Sequence, residues 1–77
     1  MKGYYIYLQE KDNKGFIACT TVEHHLYDVA LNNFRMMCVK RILDDVSFKC
    51  DLIEANYDVC NNKVLETISN FYKDETY

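Results

Sequence analysis

Residues 20–43 read TTVEHHLYDVALNNFRMMCVKRIL, and whether this stretch is helical decides how the rest of the chain folds. Thr20 stands three residues before Glu23. At that spacing a threonine hydroxyl accepts from the Glu23 amide while the carboxylate reaches back to the Thr20 amide, a capping box. Val22, Leu26, Val29, Ala30, Phe34, Met37 and Cys38 then recur at three- and four-residue steps, which aligns them on one face of a helix. Such a face must be buried. Arg35, Lys40 and Arg41 gather toward the C-terminal end, where positive charge meets the negative end of the helix dipole, and Asp44-Asp45 follow the last apolar position. The pattern predicts one long helix, Thr20 to Leu43.

On its N-terminal side Tyr4, Ile6 and Leu8 alternate with Tyr5 and Tyr7, the period of a strand that is apolar on both faces. Lys11-Asp12-Asn13-Lys14-Gly15 supplies turn chemistry, Asn13 and Gly15 tolerating positive φ, and Phe16 to Thr21 returns as a second strand. Beyond the helix, Val46, Phe48, Cys50 and Leu52 alternate with Ser47, Lys49 and Asp51, so a third strand joins the sheet. Two readings compete for the last third. Val64, Leu65, Ile68, Phe71 and Tyr72 fit a helix face entered through Asn61-Asn62, although Thr67 to Asn70 are mediocre helix formers. Alternatively Asn61-Asn62 is a two-residue turn pairing 56–60 with 63–68 as strands. The helix is the stronger reading. The expectation is therefore an α+β domain spanning 1–77, a small antiparallel sheet of order β-β-α-β packed on one long helix, with a second helix at the C-terminus.

Composition bounds the function classes. With 77 residues, 49% apolar, 27% charged, no proline and only Gly3 and Gly15, the chain has the makeup of an ordered domain rather than a linker. Tyr4 to Leu8 is too short an apolar run for a signal peptide or a membrane span, which points to a cytoplasmic protein. Cys19, Cys38, Cys50 and Cys60 match no disulfide framework and read as buried free thiols. No C-x-x-C or H-x-x-x-H occurs, and the adjacent His24 and His25 diverge by about 100° on a helix, so no metal and no cofactor is expected. Net charge is −3, divided as +2 over residues 1–43 and −5 over 44–77.

No catalytic constellation is legible. Cys19, His24 or His25, and Asp28 are close in sequence, but a thiol and an imidazole act together only at hydrogen-bond distance. Consecutive carboxylates such as Asp44-Asp45 after a helix are ordinarily solvated, and no phosphate-binding glycine loop is present. Tyr5 and Tyr7 share one strand face and could stack bases of single-stranded nucleic acid, yet a pI near 5.2 and scattered positive residues oppose phosphate binding. Seven tyrosines exceed what a small two-layer core buries, and tyrosine is enriched at protein interfaces. The expectation is a non-catalytic protein-binding module using Tyr5 and Tyr7 with the acidic residues Asp51, Glu54 and Asp58. A nucleic-acid binder and a self-pairing dimer are the alternatives.

The segment Val39-Lys40-Arg41-Ile42-Leu43-Asp44-Asp45, followed by Cys50-Asp51, resembles the helix end and next strand of the small antitoxins with which T-even phages silence host RNA-cleaving toxins. Leu52 to Tyr77 extends beyond the likeness. A proline-free, tyrosine- and asparagine-rich chain opening Met1-Lys2-Gly3-Tyr4-Tyr5 also looks like the early accessory proteins of AT-rich phages. The resemblance implies a protein partner, a host or defence nuclease or toxin, inhibited by stoichiometric binding without turnover.

Overall fold

The structure is a computed structural model and describes residues 2–70. The chain runs β1 (Lys2–Lys11), β2 (Ile17–His24), α1 (Tyr27–Leu43), β3 (Ser47–Asn56) and β4 (Asn61–Ser69). The four strands form one antiparallel sheet in the order β2-β1-β3-β4, so β1 and β3 are central and α1 lies across one face. The α+β class and the hairpin, helix, strand order agree with the sequence reading. The sheet has one strand more than expected, and the helix sits between strands.

Asp12 organises the first turn. Its carboxylate accepts from the Lys14 and Phe16 amides, both at 2.9 Å, and its carbonyl from Gly15, which takes φ +88. That conformation suits a residue without Cβ. Asn13 does not take up positive φ.

The helix starts at Tyr27, and the predicted start at Thr20 is wrong. Thr20, Thr21 and Val22 instead pair with Leu8, Tyr7 and Ile6. These β-branched residues suit a strand, and the ladder satisfies many backbone groups where a capping box satisfies two. The true N-cap is Leu26, extended at φ −107, with no side-chain hydrogen bond to the first turn. The C-terminal end is better closed. Asp45 donates to the Ile42 carbonyl and Val46 to that of Arg41, the paired bonds of a Schellman ending, with Asp45 at φ +57.

Ile6 and Leu8 of β1, Phe48, Cys50 and Leu52 of β3, and Ala30, Phe34 and Cys38 of α1 form the buried core, with Val22 and Met37 at its margin. Leu26 and Val29, expected on the buried face, are exposed, because the helix axis begins too late and is turned too far to bring them onto the sheet. The thiols divide as well. Cys38 and Cys50 are buried, whereas Cys19 and Cys60 are exposed, so the expectation of four buried thiols fails for two.

The expected C-terminal helix is a strand. Asn56 pairs with Asn61, and residues 57–60 make the turn, with Cys60 at φ +50, so Asn61-Asn62 is not the turn of the rival hairpin reading either. The helical spacing has a specific cause. Leu65 and Ile68, three residues apart, both pack on the core, which an unbroken strand forbids because its side chains alternate. A register break between Leu52 and Ile53, where Leu52 faces Glu66 and Ile53 faces Val64, leaves Leu65 as an extra residue and restores both to the core side. Asn70 then fastens the strand end, accepting from the Phe48 amide at 2.6 Å and donating to the Val46 carbonyl at 2.9 Å. Phe71 and Tyr72 lie outside the described residues.

Candidate protein-interaction face

Strand alternation sends Tyr4, Ile6 and Leu8 toward the helix and Gly3, Tyr5 and Tyr7 to the opposite face. No described element covers that second face. Register arranges it in rows. One row runs Glu23, Tyr5, Ile53, Val64 across the four strands, and the next Thr21, Tyr7, Asp51, Thr67. A third runs Cys19, Gln9, Lys49, Ser69.

The tyrosines are held in place by hydrogen bonds. Tyr57, from the β3–β4 turn, folds back over Gly3 and gives its hydroxyl proton to Glu23 Oε1 at 2.8 Å. Its oxygen also lies 2.5 Å from the Tyr5 hydroxyl, and since Tyr57 has one proton to give, Tyr5 is the donor there. The two rings meet edge to face, centroids 6.3 Å apart. The Tyr57 phenol is held above its usual range, because ionisation would break the bond it gives to Glu23 and put a phenolate beside a carboxylate. Tyr7 donates to Cys19 Sγ at 3.3 Å, and that bond is the main reason its phenol is also raised. Thr67 donates to Asp51 at 2.6 Å.

Of the residues singled out from sequence, Tyr5, Tyr7 and Asp51 share this face. Glu54 does not. It lies three residues from Asp51 and so on the helix side of the sheet, where it pairs with Lys2 at 3.6 Å. Asp58 is exposed in the β3–β4 turn, its amide donating to Asn56 Oδ1. The acidic surface read as one patch is thus divided between two faces and a turn.

Sequence reasoning missed Glu23, Ile53 and Tyr57. Glu23 was absorbed into the supposed capping box, although reading 17–24 as a strand places Thr21 and Glu23 beside Tyr7 and Tyr5. Ile53 follows Leu52 directly, a sign that β3 is apolar on both faces. Tyr57 had no local signal, since only the turn brings it over Gly3.

The sequence-adjacent thiol and imidazoles do not form a pair. Cys19 and His24 differ by five positions in one strand and so point to opposite faces, and His24 Nε2 lies 2.8 Å from Asn33 Nδ2, within hydrogen-bond distance. Asp44 caps the helix C-terminus and Asp45 occupies its left-handed position. Among the described residues no three His, Cys, Asp or Glu side chains group as metal ligands, and no helix is long and apolar enough to cross a membrane. No family model, curated protein or solved structure matches the chain.

Proposed function

We propose that this chain is a non-catalytic protein-binding module that presents its uncovered sheet face to a partner and inhibits it by stoichiometric binding. The observation that carries the reading is the Tyr5–Tyr57–Glu23 chain of hydrogen bonds, with Tyr7 and Ile53 beside it. Fixed aromatic side chains lose little entropy on association, and tyrosines surrounded by polar groups are typical interface anchors. In the three rows Glu23 and Asp51 outnumber Lys49, which favours a partner with a basic surface over nucleic acid itself. Enzymes that handle nucleic acids carry such surfaces, and the likeness to phage antitoxins points to the same class. Action in the cytoplasm fits four cysteines that are all free.

The test is the double change Tyr5→Ser and Tyr7→Ser. Capture from host lysate with the unaltered chain identifies the partner, and the double variant is expected to weaken that complex by about 2 kcal/mol or more while retaining a cooperative melt. Undiminished capture would remove the face from the interface. Tight binding of labelled single strands that weakens steeply with salt would favour the nucleic-acid reading instead.

A further inference from the structure

Helix α1 is apolar on its outer side as well as its inner one. Val29, Met36, Val39 and Leu43 follow one another at seven, three and four residues, diametrically opposite Phe34, and are 48%, 62%, 52% and 78% exposed. A helix lying on one sheet ordinarily turns charge to the solvent. This one instead carries the a and d positions of a heptad repeat, with Asn32 at the remaining d. Met36, Val39 and Leu43 line a shallow groove of about 380 Å³ whose other walls are Arg35 and Lys40. Both cations are exposed, one on each flank of the stripe, whereas Arg41 is turned inward to Glu10 at 3.0 Å. The helix's one carboxylate, Asp28, is confined to its first turn. Arg35 and Lys40 thus set a positive charge on each flank of the stripe's C-terminal half, on a chain of net charge −3.

We propose that this stripe is a second docking surface, and that its occupant is an amphipathic helix of a partner protein with Asp or Glu flanking its own apolar stripe. The charges decide against a second copy of this chain. In heptad terms Arg35 is a g position and Lys40 an e position, and a parallel pair sets g against the e five residues further along the partner, which is Arg35 against Lys40. An antiparallel pair sets g against g and e against e, so with Met36 over Val39 Arg35 meets Ile42 and Lys40 meets Asn33. A parallel self-pair therefore opposes like charges on both flanks and an antiparallel one leaves both cations without a counter-charge, while an acidic helix meets attraction on both. From Val29 to Leu43 the stripe is about 21 Å long, the span of roughly four turns.

The probe is a labelled three-heptad peptide with Leu at a and d and Glu at e and g, compared with a twin carrying Lys at e and g, both titrated against the full chain at low salt. The Glu peptide is expected to bind at least tenfold more tightly than the Lys peptide. Arg35→Glu with Lys40→Glu should invert that order, and Met36→Ser with Val39→Ser should weaken the Glu peptide at least tenfold with an unchanged circular-dichroism spectrum. Tyr5→Ser with Tyr7→Ser should leave it unchanged, which separates this surface from the sheet face. Equal affinity for the two peptides, no binding of the Glu peptide, or binding indifferent to the serine variants would each overturn the proposal. So would a concentration-dependent dimer of the unaltered chain that the serine variants dissociate, because a second copy would then occupy the stripe.

Discussion

The Tyr57 ring rests on Gly3 so closely that a Cβ at Gly3 would stand 2.8 Å from the Tyr57 hydroxyl oxygen and 3.0 Å from its Cε2. Gly3 is therefore the seat on which the β3–β4 turn places its tyrosine, and Gly3→Ala must move something. The atom in the way is the far end of a side chain, so the ring is expected to swing off and lose its bonds to Tyr5 and Glu23. Exposed hydrogen bonds contribute about 0.5–1 kcal/mol net, and alanine regains a comparable amount over glycine in a strand, so stability should fall by less than about 1 kcal/mol. A loss above about 2 kcal/mol in urea would mean that the backbone, not the ring, absorbs the clash.

Among the described residues four groups are held above their ordinary values, which makes the fold lose stability at alkaline pH. The Cys38 and Cys50 thiols are raised first by burial, Tyr7 by its bond to Cys19, and Tyr57 by the bond it gives to Glu23. Each keeps its proton in the folded chain after the unfolded chain has released it, starting from 9.0 for the thiols and 10.0 for the phenols. The folded state then binds more protons than the unfolded one, so stability is full below about pH 9 and falls as pH rises through the raised values. Urea midpoints between pH 8 and 11 should decline, and Tyr57→Phe should make the decline shallower because phenylalanine cannot ionise. An identical slope would show that the Tyr57 phenol titrates like a free one.

Phe34 is fully buried between α1 and the two central strands. Phe34→Ala should cost about 3–5 kcal/mol, since the cavity cannot close around residues fixed by a sheet ladder. For a domain of this size that approaches the whole stability. A loss below about 1 kcal/mol in denaturant would contradict the packing described.

Asp45 holds a left-handed conformation, φ +57, at the helix position where glycine is favoured, and its charge sits at the negative end of the helix dipole. Asp45→Gly removes both costs and should stabilise the domain by about 0.5–1 kcal/mol. A lowered melting temperature would mean that the Asp45 side chain has a compensating role.

Locally encoded features were legible in the sequence. Alternation gave β1 and the first half of β3, the polar run Lys11 to Gly15 gave the first turn although Asp12 rather than Asn13 organises it, and Ala30, Phe34 and Cys38 gave the face of α1 that is buried. Tyr5 and Tyr7 were placed on one face by parity alone, because alternation within a strand survives any packing, whereas only the β1–β3 register sets Asp51 beside them. Three things were decided only by tertiary structure. Residues 20–24 carry both a capping signal and β-branched side chains, and pairing with β1 chose the strand by satisfying a row of backbone groups. Residues 61–69 have an apolar spacing of three that reads as helical, and the bulge opposite Leu52 and Ile53 turns that spacing into a strand. The site depends on the same non-local terms, since Glu54 leaves it through one step of parity and Tyr57 enters it only because a turn lays its ring on Gly3. Periodicity states which residues share a face; what lies against that face is fixed by contacts between segments distant in the chain.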